Sequence, residues 1–335
     1  MRVGFCYNLK RPADESLHAD LYAEWDDEET IGAVRSALAQ RHEVVPIEGD
    51  EEAFEKFKKH RPQIVFNMAE GMHGTSRESQ IPAMLEMLRI PYTGSDPLTL
   101  AVCLDKAMAK VALSYYGIPN ASFVVVSDDR PKRSFPPFPL IVKPLYEGSS
   151  KGIQNSSMVR NSKQLKEEIH RVLTTYHQPA LVEKFLPGRE FTVALLGNGT
   201  DIEVLPIVEI KFDELPGHIN PIYSFEAKWI WDTVENPLEI FACPARLSPA
   251  LKKKIQSVCR AAYIALGVRD WCRIDVRLDG SGEPCVLELN PLPGILPNPD
   301  ANSCFPKAAR TAGITYDQLI NRVLDIACQR VGLKA

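Results

Sequence analysis

Polar and apolar residues alternate most clearly in residues 272–294, which read CRIDVRLDGSGEPCVLELNPLPG. Two alternating runs flank the turn residues 279–282, and this pattern predicts a β-hairpin. Successive side chains of a strand point to opposite faces, so the polar residues of each run share a face. A turn centred between Ser281 and Gly282 sets the following pairs opposite each other: Asp275 with Glu288, Arg273 with Asn290, Ile274 with Leu289, and Val276 with Leu287.

Asp275 and Glu288 would then be two carboxylates side by side on one face of the hairpin. Such a pair repels, and a divalent cation with oxygen ligands relieves the repulsion. Carboxylate and amide oxygens suit Mg²⁺, so Asn290 completes a candidate metal site. A half-buried hairpin with a solvated acidic face is the alternative, and the hairpin alone leaves both open.

The first ninety residues alternate between short apolar runs and stretches with helical spacing. Strands are predicted at residues 2–7, 42–48 and 63–68, and helices at residues 21–40, 51–60 and 80–88. This order predicts a small α/β domain with a mainly parallel sheet. Ligands of such sheets bind beyond the carboxyl ends of the strands, so the loop at residues 67–79 is a candidate edge of a binding site.

The remaining chain mixes both periodicities. Helices are predicted at residues 100–116, 162–176, 248–266, 305–313 and 317–331, and strands at residues 121–126, 140–143, 180–185, 191–196 and 201–210. Ser248 is the predicted N-cap of its helix, with Pro249 at the first helical position.

Two strand ends carry candidate nucleotide chemistry. One strand ends in Lys143 and leads directly into a Gly- and Ser-rich loop at residues 147–152. Small residues let backbone N–H groups approach phosphate oxygens, although such a loop is more often an ordinary turn. The strand at residues 180–185 ends beside a Pro-Gly bend and Glu190, which could frame a flat base and a ribose. A strand pair with exposed charges is the alternative.

The composition of the chain argues against several classes of function. The net charge of −4 argues against a nucleic-acid partner, and no apolar run approaches the roughly 20 residues that span a bilayer. The opening residues MRVGFCYN are not expected to form a signal peptide, because polar residues soon interrupt their short apolar run. Eight scattered cysteines without a CxxC pair indicate a reduced, cytoplasmic setting and make a zinc site improbable.

In their order along the chain, these motifs resemble the ATP-grasp ligases, and most closely the D-alanine–D-alanine ligase family. The matching segments are PYTGSDPLTLAVCLDKAMAK (residues 91–110), IVKPLYEGSSKG (141–152), VEKFLPGREFTVALLG (182–197), FEAKW (225–229), and CRIDV with LELNPLPG in the hairpin. The resemblance implies an α/β (α+β) fold of three domains: an N-terminal parallel-sheet domain (1–98), a central ATP-grasp subdomain (99–188) and a C-terminal subdomain with the metal site (189–335).

The resemblance also implies roles for individual residues. Lys106 and Lys143 would contact the phosphates of ATP, and the loop containing Glu147, Ser149 and Ser150 would close over them. The adenine would be held by Glu183, Lys184, Phe185 and Leu186, the ribose by Glu190, and the transferring phosphate by Lys228. Asp275, Glu288 and Asn290 would bind two Mg²⁺, with Mn²⁺ as an alternative, while Arg273, Ser149 and the backbone N–H of Gly294 would serve the reaction itself.

The substrate half departs from the family pattern. The glutamate loop of the family reads CYNLKRPADES here, with Glu15 as a stand-in, and a second loop brings Glu70, Arg77 and Glu78 to the expected pocket. Trp229 stands where a tyrosine is common, and Pro299 where a serine binds the second substrate. Proline has neither a hydroxyl nor an N–H, so it cannot replace that contact.

The expected reaction is therefore the ATP-dependent joining of a carboxylate to an amine through an acyl phosphate, as in dipeptide synthesis for peptidoglycan. An ATP-grasp ligase that uses a different amino acid, or an acid and amine of specialised metabolism, is an alternative. A protein that binds ATP without catalysis is another. The expected partners are small amino acids, with neither nucleic acid nor membrane, and a homodimer is one expected assembly.

Overall fold

The computed structural model describes residues 1–11, 24–128, 134–212, 219–224 and 240–334. Within these ranges the chain forms three β-sheets with helices packed around them. No helix in the described ranges is both long and apolar enough to cross a bilayer.

The N-terminal sheet is parallel, as predicted. It has the order β2-β1-β3, from β1 (Arg2–Tyr7), β2 (Glu43–Glu48) and β3 (Ile64–Asn67). The helices that alternate with these strands are α1 (Glu28–Ala39), α2 (Ala53–His60) and α3 (Gln80–Leu88).

The first helix begins later than the predicted residue 21. The Asp27 side chain accepts a hydrogen bond from the backbone N–H of Thr30 at 2.8 Å and so caps α1. This cap ends the preceding extended segment, because an N-cap residue has non-helical backbone angles. Residues 24–27 are therefore outside the helix, and they contribute side chains to the cavities described below.

The prediction of one continuous helix at residues 100–116 was wrong, because the chain forms two helices there. These are α4 (Pro97–Leu104) and α5 (Lys106–Tyr115), and Asp105 between them has extended backbone angles. The Asp105 carboxylate accepts hydrogen bonds from the N–H groups of Ala107 and Met108, both at 3.0 Å. Asp105 thus caps α5, and Lys106 becomes the first residue of the new helix.

The middle sheet is antiparallel in the order β4-β7-β5-β6, with helix α6 (Ser162–Thr175) packed on it. Its strands are β4 (Phe123–Val126), β5 (Leu140–Pro144), β6 (Met158–Val159) and β7 (Ala180–Lys184). Strands β5 and β7 are neighbours, so Lys143 and Glu183 approach each other across the sheet.

The C-terminal sheet has the order β11-β10-β8-β12-β13, and β9 pairs with β8. Its strands are β8 (Glu190–Leu196), β9 (Glu203–Val204), β10 (Val208–Ile210), β11 (Phe241–Ala242), β12 (Trp271–Leu278) and β13 (Pro284–Asn290). The predicted strand at residues 201–210 is thus two short strands. Helix α7 (Pro249–Ala265) is capped by Ser248 with Pro249 at N1, as predicted.

The predicted hairpin is confirmed as β12 and β13, with one correction. Asp275 lies opposite Glu288, Arg273 opposite Asn290, and Ile274 opposite Leu289. Val276 pairs with Val286 and not with Leu287, because a β-bulge shifts the register after Asp275. A bulge leaves one residue unpaired and redirects side chains. Leu287, predicted on the buried face, instead lines the same cavity as Asp275 and Glu288.

The largest core joins the two ends of the chain. Phe5 and Phe66 of the N-terminal sheet pack with Trp271 of β12 and with Phe305. Phe305 belongs to α8 (Cys304–Thr311), and helix α9 (Tyr316–Val331) closes the same core. This core fixes the start of β12 against the N-terminal sheet.

Candidate active site

Two adjoining cavities lie between the three sheets. The smaller has a volume of about 100 Å³ and the larger about 250 Å³. Both are lined by Glu24, Asp26, Ser149, Arg273, Glu288, Gly294 and Ile295. The hairpin residues thus lie on the wall that the two cavities share.

Arg273 holds the acidic face of the hairpin together. Its Nε and Nη2 donate to the two carboxylate oxygens of Asp275 at 3.1 and 3.0 Å, and its Nη2 lies 3.9 Å from Oε1 of Glu288. Asn290 Nδ2 donates to Asp275 Oδ2 at 3.3 Å. Burial raises the pKa of Asp275, but the Arg273 charge and hydrogen bonds to the carboxylate outweigh burial and lower it overall. Asp275 is therefore ionised at neutral pH.

Asp275, Glu288 and Asn290 present oxygen donors on one face, which is a suitable set for a hard divalent cation. In the described part of the chain, no group of three or more acidic, histidine or cysteine side chains forms a metal site. The set therefore consists of two carboxylates and one amide, leaving further coordination positions for phosphate oxygens and water.

A buried cluster of two lysines and one glutamate adjoins the larger cavity, which Lys143 and Glu183 line. Glu183 Oε1 and Oε2 lie 3.3 Å from Lys110 Nζ and Lys143 Nζ respectively. Burial raises the pKa of Glu183, but the two lysines lower it overall. Burial lowers the pKa of Lys110. At Lys143 burial also lowers the pKa, but the Glu183 and Glu288 charges and the hydrogen bond to Glu183 together outweigh burial and raise it. Lys143 therefore remains a cation on the cavity wall.

No role was predicted for Lys110 from the sequence. It stands four positions after Lys106, on the same face of α5, and that spacing was the available signal. Its side chain is only 1% exposed. Because Lys110 and Lys143 share Glu183, the predicted adenine contact of the Glu183 side chain competes with two ion pairs.

Apolar side chains form the part of the larger cavity next to β7. These are Ile141, Phe185, Leu186, Ile222 and Leu287. Lys184 also lines this cavity, and its Nζ donates to the carbonyl oxygens of Pro137 and Phe138 at 2.9 and 3.1 Å. A flat apolar slot of this kind suits a heterocyclic base better than it suits a charged group.

Glu190 faces this cavity from the start of β8. Arg277 Nη1 donates to Glu190 Oε2 at 2.8 Å, and the Arg277 guanidinium lies 4.7 Å from the ring centre of Phe185. Burial raises the pKa of Glu190 despite the Arg277 charge. Arg277 is a second residue that the sequence did not single out, although its place on the polar face of β12 was predicted.

The loop after β5 adopts strained backbone angles. Ser149 and Ser150 have φ values of 50° and 60°, in the left-handed region that non-glycine residues rarely adopt. Ser150 Oγ donates to the carbonyl oxygen of Tyr223 at 2.9 Å. Strain of this kind is concentrated at functional loops.

Glu24 connects that loop to the N-terminal sheet. Its Oε1 accepts from the N–H of Gly148 at 2.8 Å, and its Oε2 accepts from Arg77 at 2.8 Å and from Lys151 at 3.3 Å. Burial raises the pKa of Glu24, but Arg77 and Lys151 lower it to about 2. A Cβ atom at Gly148 would collide with the Glu24 carboxylate, so this approach requires glycine.

Glu147 completes the same network. Its Oε2 lies 2.7 Å from Lys151 Nζ and 3.6 Å from Arg77 Nη2, and its backbone oxygen accepts from Lys106 Nζ. Lys106 itself lines the smaller cavity. The loop is therefore tied to the start of α5 and to the loop after β3.

The predicted substrate residues are distributed unevenly. Glu70 lines the smaller cavity together with Glu78, while Arg77 contacts Glu24 and donates to the carbonyl oxygen of Tyr146 at 3.0 Å. Pro299 is exposed and lines neither cavity. Glu15, Lys228 and Trp229 lie outside the described residues.

Glu24 is the third site residue that was not predicted from the sequence. The candidate predicted in the loop after β1 was Glu15. The signal was available in Asp27, three positions later, because a capping aspartate marks where the helix begins. The interpretation of residues 21–40 as one helix hid that signal.

Comparisons with known proteins identify relatives of this chain. Residues 113–325 match the family model described as D-ala D-ala ligase C-terminus. A D-alanine–D-alanine ligase of Bordetella avium is 34% identical over 263 residues, which cover 77% of this chain and 77% of that protein. An uncharacterized protein of Sinorhizobium fredii is 36% identical over 315 residues, covering 91% of this chain and 89% of that protein.

The fold has a close structural counterpart as well. The crystal structure of D-alanine–D-alanine ligase from Bacillus anthracis complexed with ATP has a TM-score of 0.73 and 22% sequence identity, covering 98% of both chains. The fold class predicted from the sequence is confirmed by this likeness.

Proposed function

Because the chain belongs to the D-alanine–D-alanine ligase family, we propose that it joins the carboxylate of one amino acid to the amine of another at the expense of ATP. A carboxylate oxygen of the first substrate attacks the γ-phosphorus, and ADP leaves. The amine of the second substrate then attacks the acyl carbon, loses a proton and displaces phosphate. The observation that carries the proposal is the hairpin wall, where Arg273 and Glu288 line both cavities and Asp275 lines the larger one.

The larger cavity is the proposed site of ATP. Its apolar slot receives the base, Glu190 the ribose, and Lys143 the phosphates, while Lys106 reaches the phosphates from the adjoining cavity. The loop at residues 147–150 covers the phosphates. Phosphoryl transfer depends on positioning and charge neutralisation, which these groups supply without a covalent nucleophile.

The hairpin acids fit Mg²⁺, and Mn²⁺ has the same preference for oxygen ligands. When bound, such an ion neutralises charge on the transferring phosphoryl group. Asp275, Glu288 and Asn290 would hold it. With those acids engaged, Arg273 is available to stabilise the oxyanion that develops at the acyl carbon, together with the N–H of Gly294. Lys228 remains the proposed contact of the transferring phosphate.

We also propose that the chain is organised as three units, residues 1–98, 99–188 and 189–335. The N-terminal, middle and C-terminal sheets each fall within one of these ranges. A cytoplasmic location is proposed because the cysteines are free thiols, and a homodimer is the proposed assembly, which sedimentation would test.

The substitution Glu288→Gln tests the proposed function. It removes a charge from the oxygen donor set while keeping the side-chain shape, so phosphate release from ATP in the presence of Mg²⁺ and a panel of amino acids should fall at least 100-fold. The melting temperature should change by less than about 3 °C, because the side chain is not part of the apolar core.

Glu283→Gln is the matched control. Glu283 is exposed at the hairpin turn, just before β13, and pairs with Lys254. Glu288 lies near the other end of that strand. This variant should retain wild-type phosphate release. A fully active Glu288→Gln variant would contradict the metal role of the hairpin.

A further inference from the structure

One wall of the smaller cavity is unusually acidic. Glu24, Asp26, Glu70 and Glu78 all line it, from the segment before α1 and from the loop after β3. Arg273 and Glu288 lie on the hairpin wall of the same cavity. The carboxyl groups of the N-terminal segments thus surround the space next to the proposed reaction centre.

The cations close to this wall are already engaged with other partners. Arg77 and Lys151 both pair with Glu24 and Glu147, at distances between 2.7 and 3.6 Å. Lys106 donates to the backbone oxygen of Glu147. These ion pairs account for Glu24 and Glu147, but not for the remaining acids.

The charges of Glu70 and Glu78 are only partly compensated, by Arg77 and, for Glu78, by Lys106. Among the described residues, no hydrogen bond or ion pair within 4 Å reaches either carboxylate. Burial, together with neighbouring acids, raises the pKa of Glu70 well above its usual range. Burial also raises the pKa of Glu78, and the Arg77 charge opposes this only in part, which leaves it at about 7.

Lys10 and Arg11 belong to the segment between β1 and Glu24, but neither lines the smaller cavity. Carboxylates that share a cavity repel one another, so a cationic ligand or bound protons would stabilise Glu70 and Glu78.

Resting on the ligase function proposed above, we propose that the smaller cavity binds a diamino acid, whose side-chain ammonium group is received by Glu70 and Glu78. A single α-ammonium group supplies one positive charge, whereas more than one acid of this wall is only partly compensated. An ammonium group has three N–H donors and can bridge two carboxylates. A neutral side chain such as that of alanine would leave both acids unpaired.

The experiment compares diamino acids with neutral isosteres of the same length. The pairs are 2,3-diaminopropionate with 2-aminobutyrate, 2,4-diaminobutyrate with norvaline, and ornithine with norleucine, each in both chiral forms with ATP and Mg²⁺. Each is tested alone and together with alanine, and phosphate release gives kcat/KM. At least one diamino acid should exceed its isostere tenfold or more, whereas an isostere equal to or better than its partner in every pair would overturn the proposal.

Two variants locate the effect. Glu70→Gln and Glu78→Gln should each lower the preference for the diamino acid over its isostere at least fivefold, mainly through KM. Glu51→Gln removes the same charge from an exposed position of the N-terminal region and should leave the preference unchanged. An unchanged preference in both cavity variants would place the second ammonium group elsewhere and overturn the assignment.

The outcomes separate this inference from the function on which it rests. Phosphate release with neutral amino acids alone would keep the ligase and reject the diamino acid. If no amino acid supports phosphate release, the ligase function fails, and the diamino-acid assignment fails with it.

Discussion

The carboxyl group of Glu78 lies in the wall of the smaller cavity, where burial and the neighbouring acids disfavour its charged form. The charged form of Asp26 is disfavoured as well, because burial and the neighbouring Asp27 raise the pKa of Asp26 to about 7. Each group therefore reduces the stability of the ligand-free protein above neutral pH. A binding site that retains such groups gives up stability for recognition.

Substitution of Glu78 by Gln tests whether the Glu78 carboxylate lowers the free energy of unfolding above neutral pH. The folded protein binds the Glu78 proton more tightly than the unfolded chain, so the contribution of Glu78 to stability falls as pH rises from about 4.5 to 7. The variant should therefore gain about 1–3 kcal/mol of unfolding free energy over the wild type at pH 8, and much less at pH 5. Urea unfolding at the two pH values measures the difference.

Glu51→Gln serves as the control for this measurement, because its exposed side chain should give no pH-dependent gain. An equal effect of Glu78→Gln at both pH values would show that Glu78 titrates normally and would remove the electrostatic argument.

Site residues could be predicted from the sequence where side chains of suitable chemistry recur at the spacing of one strand face, as the acids of the hairpin do. They were not predictable where a role depends on a distant partner. Lys110 and Arg277 resemble ordinary surface charges in the sequence, and only their proximity to Glu183 and Glu190 gives them a place in the site. Those partners lie 73 and 87 positions away, beyond the range of any local pattern.

At the scale of elements, the break between α4 and α5 places Lys106 at the cavity. Because Asp105 ends one helix and caps the next, the first residue of α5 is directed at the loop after β5, where Lys106 contacts the Glu147 backbone. A continuous helix over residues 100–116 would not provide this N-terminus.

Replacement of Asp105 by Ala should lower the unfolding free energy by about 1 kcal/mol, because one N-cap is lost. It should also raise the KM for ATP several-fold, because Lys106 is no longer held at the helix start. Thermal unfolding and phosphate release measure the two effects.

Asn161→Ala provides a matched comparison, since Asn161 caps α6 by accepting from Lys163 and Gln164 at 3.1 and 3.0 Å and lines neither cavity. It should cost a similar free energy with an unchanged KM. Equal KM changes in the two variants would contradict a specific role for the break.

Helical spacing and alternation gave the existence of most elements but not their interruptions. The break at Asp105 interrupts an apolar pattern that continues on both sides, and the bulge at Leu287 interrupts a regular alternation. Both depend on which backbone groups find partners in three dimensions. The hydrophobic period does not contain that information.

At the scale of the whole molecule, Asp270 connects the C-terminal helix α9 to the segment after α3. Its carboxylate accepts from Arg330 at 2.9 and 2.7 Å, from the N–H of Gly94 at 2.8 Å and from Asn198 at 2.8 Å. Its side chain is fully buried. These bonds join α9, the segment after α3 and the strand β12 that carries Arg273.

The substitution Asp270→Asn should lower the unfolding free energy by about 2–3 kcal/mol, because the partly buried Arg330 loses its charged partner. Asp325→Asn breaks the exposed pair with Arg41 and should cost less than about 1 kcal/mol. Urea unfolding compares the two, and equal losses would contradict the connecting role of Asp270.

The central claim is that phosphate is transferred from ATP to a substrate carboxylate, and oxygen labelling tests it most directly. The amino acid that gives the fastest phosphate release is labelled with ¹⁸O in its carboxylate and incubated with the enzyme, ATP and Mg²⁺. Transfer through an acyl phosphate moves one ¹⁸O atom into each phosphate released, and mass spectrometry of the phosphate detects it. Unlabelled phosphate would show that water attacks ATP and would contradict the proposed ligase reaction.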